Sequence, residues 1–407
     1  MGKIIPLEGD ALPWARSRFA RYYERTPIPP PSALAEREFA AFPFGVESGM
    51  RRHAALPSSE AFHRFLTSVV PRHVYYSSAY YVHPEHPTMP GKIWQGADVV
   101  FDLDADHLRQ SEGLSYAAQL ALVKEQLKRL YDDFLTTDFG LDPTQAEIVF
   151  SGGRGYHVHV RDERFRGLTS PARRELVDYL QGSETDLVAS VLEERHADGA
   201  GGPARKFRRL SPPEAPGWKG RTTRGLQAIL ARWESEGPEV AASEMIRSGM
   251  AVPDAKRLAR ALLKDGGGAK IRSTLALGAL PREIPLELLA IVLKSATVEV
   301  QGETDAPVTT DIHRLIRLPG SLHGGTGFRV LPVARDALDA FDPFEAAVYP
   351  GDPEVRVAIT LLDAVDHPFR ERITGPVGRD LEVPEAEALF LVLRGEASLR
   401  GAGPPPP

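Results

Sequence analysis

The sequence contains no cysteine among its 407 residues. That absence excludes disulfides, thiol catalysis and any thiolate-held zinc or iron–sulfur cluster within this chain. A bound metal must therefore be held by carboxylates or histidines. These suit magnesium or manganese, or a His/carboxylate zinc site. Long apolar runs are missing as well, and none approaches the roughly 20 residues of a membrane helix. The opening Met1-Gly2-Lys3-Ile4-Ile5-Pro6 has neither a signal-peptide layout nor the Ser or Thr of a myristoylation signal. A cytoplasmic protein with no membrane partner is expected. Nor is there an excess of positive charge: the net charge is −6. Any binding to nucleic acid must rest on a local basic surface.

What is present is ordinary globular material. Hydrophobic residues make up 42%, enough for a sizeable core, and the length suits one large domain with an insertion, or two domains. Residues 11–26 read as a helix, stopped by Pro29-Pro30-Pro31, and Ser32 can cap a second short helix to about Phe39. Residues 60–70 read as helix and 73–82 as strand. The clearest strand is 97–104. An amphipathic helix follows, with Leu120, Val123, Leu127, Leu130 and Phe134 at helical spacing. Strands at 147–150 and 156–160 come next. Strand, long helix, strand predicts a right-handed βαβ crossover. Residues 168–298 read as almost wholly helical, broken by a Gly/Pro/Arg-rich loop at 198–222, and strand character returns at 297–301 and 328–333. The expected organisation is a catalytic α/β core in two parts, 1–167 and 297–365, around a mainly helical insertion, 168–296. A C-terminal segment, 366–407, ends in a disordered proline-rich tail.

Three segments carry candidate chemistry. The first is Val99-Val100-Phe101-Asp102-Leu103-Asp104. Alternate strand residues share a face, so Asp102 and Asp104 point the same way while Leu103 turns into the core. Adjacent carboxylates repel, and a divalent cation removes that cost. Nucleotidyl transfer uses two such cations about 3.5–4 Å apart. The same pair also fits a solvated strand end. An EF-hand is excluded, because His107 stands where glycine is needed and Gly113 where glutamate is needed.

The second segment is Ser151-Gly152-Gly153-Arg154-Gly155-Tyr156-His157-Val158-His159. Its glycines let backbone N–H groups approach an anion, and Ser151 and Arg154 add a hydroxyl and a guanidinium. It is neither a Walker loop nor a dinucleotide fingerprint, and a plain tight hairpin fits it equally. The third is late and basic. Thr309-Thr310-Asp311 can cap a short helix over 312–316 that would place Arg314 and Arg317 on one side. Pro319 stops it, and Gly320-Ser321-Leu322-His323-Gly324-Gly325 forms a loop. Arg317 and His323 suit a polyphosphate, as they would suit a basic surface turn. A fourth stretch, Arg205-Lys206-Phe207-Arg208-Arg209 with Lys219, Arg221 and Arg224, holds a single acid, Glu214. It is expected as a mobile basic loop, either solvated or touching nucleic-acid phosphates through Arg205, Lys206, Arg208 and Arg209.

Taken together, these segments resemble the small subunit of archaeal and eukaryotic primases. The matching pieces, in order, are Arg37-Glu38-Phe39; Phe101-Asp102-Leu103-Asp104; Ser151 to His157; and Asp305 followed by Leu315-Ile316-Arg317-Leu318-Pro319-Gly320-Ser321-Leu322-His323. They span roughly residues 35–335. The resemblance implies an α/β (α+β) fold, a primase-type catalytic core with a mixed sheet and a helical insertion. It implies a DNA-directed nucleotidyltransferase that makes short primers on single-stranded DNA from nucleoside triphosphates with Mg²⁺ or Mn²⁺ at a two-metal site. It also implies a heterodimer with a primase large subunit in the cytoplasm of an archaeal-type cell. Asp102, Asp104 and Asp305 become the metal ligands, with Asp311 second choice to Asp305. Ser151, Arg154, His157, Arg317 and His323 become nucleotide contacts, and Glu38 and Arg51 are carried over as further ones. The cysteine-rich zinc knob of many members is missing after the acidic strand. Rival readings are the polymerase domain of bacterial end-joining ligases, a haloacid-dehalogenase-type phosphatase, and a non-catalytic DNA-binding module.

Overall fold

The computed structural model describes residues 5–45, 49–108, 111, 113–182, 191–199, 202–264, 267–276, 280, 284–296 and 308–400. The chain divides into two compact units. One comprises Met1–Lys128, Leu141–Arg174 and Val300–Pro407, and the other Arg129–Gly140 and Glu175–Glu299.

Twelve strands carry the argument. In chain order they are β1 (Glu38–Pro43), β2 (Arg51–Ala55), β3 (Pro71–Ser77), β4 (Ala79–Tyr81), β5 (Trp94–Ala97), β6 (Val99–Asp104), β7 (Ala146–Phe150), β8 (Gly155–Val160), β9 (Leu192–Gly199), β10 (Gly202–Leu210), β11 (Leu315–Arg317) and β12 (Leu331–Val333). In the first unit they build two four-stranded sheets, ordered β11-β3-β1-β2 and β12-β7-β8-β6, and a β4–β5 hairpin. Every neighbouring pair among the described residues is antiparallel, where a mixed sheet was expected. Because β8 is antiparallel to both β6 and β7, those two strands run parallel with β8 between them. The helix starting at Tyr116–Lys128 joins them, so the expected crossover exists in split form.

The core of this unit is aromatic and aliphatic. Phe19 and Tyr23 of helix Ala11–Arg25, Phe62 and Leu66 of helix Ser59–Val69, and Phe39, Val74, Tyr76, Val100, Ile316 and Leu322 form one buried cluster. Each such side chain contributes roughly 1.5–3 kcal/mol on burial. Ile316 and Leu322 matter most for function, because they anchor β11 and the loop after it. That segment leaves the edge of one sheet at β11 and joins the edge of the other at β12.

A buried ion pair braces the start of β6. Arg37 and Asp98, both almost wholly enclosed, meet at 2.7 Å. Arg37 also donates to the Ser77 and Ser78 carbonyls, and Tyr80 OH donates to Asp98. All partners are matched, which is the condition under which a buried pair is tolerated.

Several expected elements differ. The helix from Ser32 to Phe39 is a single turn, Leu34–Glu36, and Glu38 already opens β1. The helix expected over 312–316 is strand β11, with Ile316 opposite Tyr76 and Arg317 opposite Tyr75. Pairing with a buried strand outweighs the weak cap, and residues i and i+3 of a strand lie on opposite faces. The strand expected at 328–333 is present only over Leu331–Val333, preceded by a lone bridge from Leu322 to Arg329. The division expected at residue 365 falls on strand Val365–His367, which pairs with Ile373–Gly375. Beyond it helix Glu385–Leu393 is deeply buried. The strand expected at 297–301 and the tail from 401 lie outside the described residues.

The second unit is mainly helical. Its Arg129–Asp138 segment is wound more widely than an α-helix, with Phe139 N–H bonded to Phe134 O at 2.9 Å. Asp138 accepts from Arg221, Tyr179 and the Gly217 N–H, tying that segment to the start of helix Gly217–Glu236. Arg221, expected within a mobile basic loop, is instead a buried member of this knot. The basic stretch 205–209 is likewise strand β10, paired with β9.

Candidate active site

Strand periodicity places the acidic pair as expected. Asp102 and Asp104 are partly exposed on one face of β6, while Phe101 and Leu103 are buried. Asp104 Oδ1 accepts the Asp106 N–H at 3.0 Å, which turns the chain after the strand. Asp106 then pairs with Arg154 at 2.5 Å, drawing the guanidinium to the acidic end.

Strand β8 lies directly beside β6, with His157 opposite Asp102 and Gly155 opposite Asp104. The closeness demands glycine: a Cβ at Gly155 would stand 2.0 Å from the Leu103 carbonyl oxygen. His157 Nε2 lies 3.6 Å from Asp102 Oδ1. Burial, and then the charge on Arg317, pull the His157 pKa down to about 3, with Asp104 opposing and Arg314 adding to the drop. The ring is neutral at physiological pH.

The glycine turn and the late loop are packed together. Gly152 has φ +75°, and a Cβ there would come within 2.7 Å of His323 Cβ. Thr326 Oγ1 donates to Gly152 O at 2.5 Å, and His323 N–H bonds Phe328 O at 2.8 Å. Ser151 Oγ accepts the Gly153 N–H at 3.2 Å, shaping the turn. His323 is half-buried, and its pKa is held well below 6.5 by desolvation and then by Arg317, His73, Arg72 and Arg154. Arg317 lies over the Tyr75 ring, 5.1 Å from its centre, and bonds His73 Nδ1.

The structure thus brings together Asp102, Asp104, Ser151, Arg154, His157, Arg317 and His323. Other candidates stand elsewhere or outside the described residues. Glu38 is fully buried and engaged by Arg52 (3.0 Å), the His53 N–H (3.1 Å) and Lys92 (3.5 Å). Arg51 is exposed on β2, and it is Arg52 that reaches Glu38. Asp305 lies outside the described residues. Four residues later, Thr309 Oγ1 donates to Val100 O at 2.9 Å, which lays that stretch of chain against β6. Asp311 Oδ1 accepts the His313 N–H at 2.9 Å and shapes a local turn. The side chains of Arg205, Lys206 and Arg208 lie outside those described, and Arg209 is exposed. Register puts Arg208 opposite Glu194 and Arg209 opposite Glu193 along the paired backbones.

Sequence reasoning missed Arg72, His73 and Tyr75 on β3, which line the Arg317 side of the site. The strand-like run 73–82 marked their element but nothing marked their role. Among the described residues no group of three His, Asp or Glu side chains stands close enough to hold a metal. Asp102 and Asp104 supply two hard oxygen donors, the chemistry that suits Mg²⁺ or Mn²⁺.

Residues 101–335 match the family model described as DNA primase small subunit. The chain is 41% identical over 397 residues to the DNA primase small subunit PriS of Methanocella arvoryzae, covering 94% of this chain and 97% of that protein. It is 37% identical to the protein of the same name from Methanothrix thermoacetophila, over 97% of this chain and all of that one. With that of Haloarcula marismortui the identity is 38%, covering 96% and 99%. A haloacid-dehalogenase-type phosphatase is thereby set aside, and so is a chain built only to bind DNA.

Proposed function

Since the chain belongs to the DNA primase small-subunit family, we propose that Asp102 and Asp104, with Asp305, form the catalytic centre of a template-directed nucleotidyltransferase that makes primers on single-stranded DNA. The observation that carries this reading is the convergence of two carboxylates on one strand face with Arg154, Arg317 and His323 on the turn and loop beside them. Carboxylates for divalent cations and donors for phosphate thus stand side by side, as a nucleoside triphosphate with its metals requires.

Asp102, Asp104 and Asp305 would hold two Mg²⁺ or Mn²⁺ ions, whose charge lowers the pKa of the attacking primer hydroxyl and offsets that of the leaving pyrophosphate. The protein's own groups do the rest. Arg154, held beside the acids by Asp106, and Arg317, held over Tyr75, present N–H donors to the phosphates in fixed directions. Ser151 and the backbone of the glycine turn add neutral donors. His157 and His323 are neutral, so each can donate its one N–H to phosphate while carrying no positive charge that would repel a metal. Fixed donors need little reorganisation as charge moves to the leaving group.

A large subunit is the expected partner, as the relatives' name "small subunit" implies a second chain. Single-stranded template would run past the basic hairpin residues Arg205, Lys206, Arg208 and Arg209. The cytoplasm is the expected location, and among the described residues no helix is long and apolar enough to cross a membrane. The test is de novo synthesis from nucleoside triphosphates on single-stranded DNA with Mg²⁺ or Mn²⁺, with and without the large subunit. Product that depends on template and metal supports the reading. Extension of pre-annealed primers alone, with no initiation even beside the large subunit, would favour a gap-filling polymerase instead.

A further inference from the structure

His73 is buried on β3, adjacent to Arg72, at a point where the phosphate-facing elements converge. Arg317 of β11 donates through Nη1 to His73 Nδ1. The Gly324 N–H is directed at the same nitrogen at 3.4 Å. The His323 ring meets the His73 ring edge to face, with centres 5.1 Å apart. On its own sheet, Phe42 packs edge-on and Tyr75 stacks at 6.2 Å.

Arginine is always a donor, and so is a backbone N–H, so both require the lone pair on Nδ1. The ring proton therefore sits on Nε2. Burial and the charges on Arg317 and Arg72 hold this imidazole well below its ordinary pKa, which keeps that lone pair available. The loop rests directly on this floor. A Cβ at Gly324 would stand 2.4 Å from Arg72 O and 2.7 Å from His73 Nε2, and Arg72 Nε bonds Gly324 O at 2.7 Å.

We propose that His73 is a positioning residue for the triphosphate clamp: its Nδ1 lone pair aims the Arg317 guanidinium, and its ring seats the 323–325 turn. The proposal rests on the reading above, in which Arg317 and His323 meet the nucleotide phosphates. An arginine side chain loses much rotamer freedom when its head group is fixed. The Tyr75 face restrains the guanidinium in one direction only, leaving rotation in its own plane. The imidazole lone pair removes that freedom before the nucleotide arrives, so less is lost on binding.

The test compares His73→Phe, which keeps the ring and its packing but has no lone pair, with His73→Asn, whose Oδ1 falls near the place of Nδ1. Primer-extension kinetics give KM for nucleotide and kcat, and equilibrium binding gives nucleotide affinity without turnover. His73→Phe should raise KM roughly tenfold, the scale of one hydrogen bond to a charged group, with kcat little changed. His73→Asn should restore most of the loss. In an Arg317→Ala background His73→Phe should add less than about twofold, because two residues acting as a unit are not additive. Fully additive effects would overturn the proposal, as would an unchanged KM in His73→Phe beside a raised KM in Arg317→Ala. If Arg317→Ala itself leaves KM unchanged, the clamp reading fails, and His73 with it. Should His73→Phe not fold, His73→Gln replaces it, since its acceptor reaches past the Nδ1 position. It should then behave as the loss and His73→Asn as the rescue, and equal behaviour of the two would overturn the role.

Discussion

Asp102 and His157 stand opposite each other across the β6–β8 pair, with Oδ1 and Nε2 3.6 Å apart. The imidazole is neutral because burial and Arg317 outweigh the nearby Asp104. The imidazole thus brings no positive charge to the acidic face. Fixed cations for phosphate come instead from Arg154 and Arg317, reached by the turn and by β11.

Arg154→Ala and His323→Ala should therefore raise KM for nucleotide by about tenfold or more each, with a smaller effect on kcat. Their donors meet the phosphates in ground and transition states alike, so most of the loss is uniform binding. Steady-state kinetics over a range of nucleotide concentration check it, and unchanged KM in both variants would return the two loops to a structural role.

The third carboxylate separates two aspartates. Asp305→Asn should abolish synthesis. Asp311→Asn should cost little more than a turn hydrogen bond, about 1 kcal/mol, because its Oδ1 serves the His313 N–H. Turnover at saturating metal decides between them. A fully active Asp305→Asn beside an inactive Asp311→Asn would reverse the assignment.

Much of this site is legible in the sequence. The period of two puts Asp102 and Asp104 on one face, and Gly152 and Gly155 mark a turn with two positions that only glycine fits. What escaped reading depends on partners distant in sequence. Arg37 meets Asp98 across 61 positions and His73 meets Arg317 across 244, and no local pattern records either contact. The stretch 312–316 misled for a related reason. Its cap and spacing suit a helix turn, but pairing with the buried strand β3 decides its structure. The glycines and prolines around 205–209 suggested a loop, whereas β9 supplies a partner strand.

Acid should destabilise the fold earlier than its carboxylates require. His73 and His159 are buried and His323 is half-buried, and their folded pKa values lie well below 6.5. The unfolded chain therefore binds more protons on the acid side. Their contribution is complete above about pH 6.5 and is lost as pH falls below it, by up to roughly 1.4 kcal/mol per pH unit for each histidine. Tm measured from pH 7.5 to 5 should fall steadily, and less steeply in His159→Gln. A flat Tm across that range would contradict the burial of these rings as neutral groups.

Neutralising Arg205, Lys206, Arg208 and Arg209 together should weaken single-stranded DNA binding regardless of sequence. Each lost phosphate contact lowers the slope of log K against log salt by about 0.7. KM for nucleotide should barely move. Binding isotherms at several salt concentrations test this, and equal slopes with equal affinity would leave β10 a solvated surface.

The most direct measurement is primer synthesis on single-stranded DNA with saturating Mg²⁺ or Mn²⁺ by the wild type, Asp102→Asn and Asp104→Asn, with Tm recorded for each. Both side chains are partly exposed at a strand end, so their loss should leave the fold intact. The wild type should make template-dependent product, and each variant should lose at least about a hundredfold in rate, the scale of several kcal/mol of transition-state stabilisation. A folded Asp102→Asn or Asp104→Asn that still synthesises at near wild-type rate would contradict the placement of catalysis on this strand.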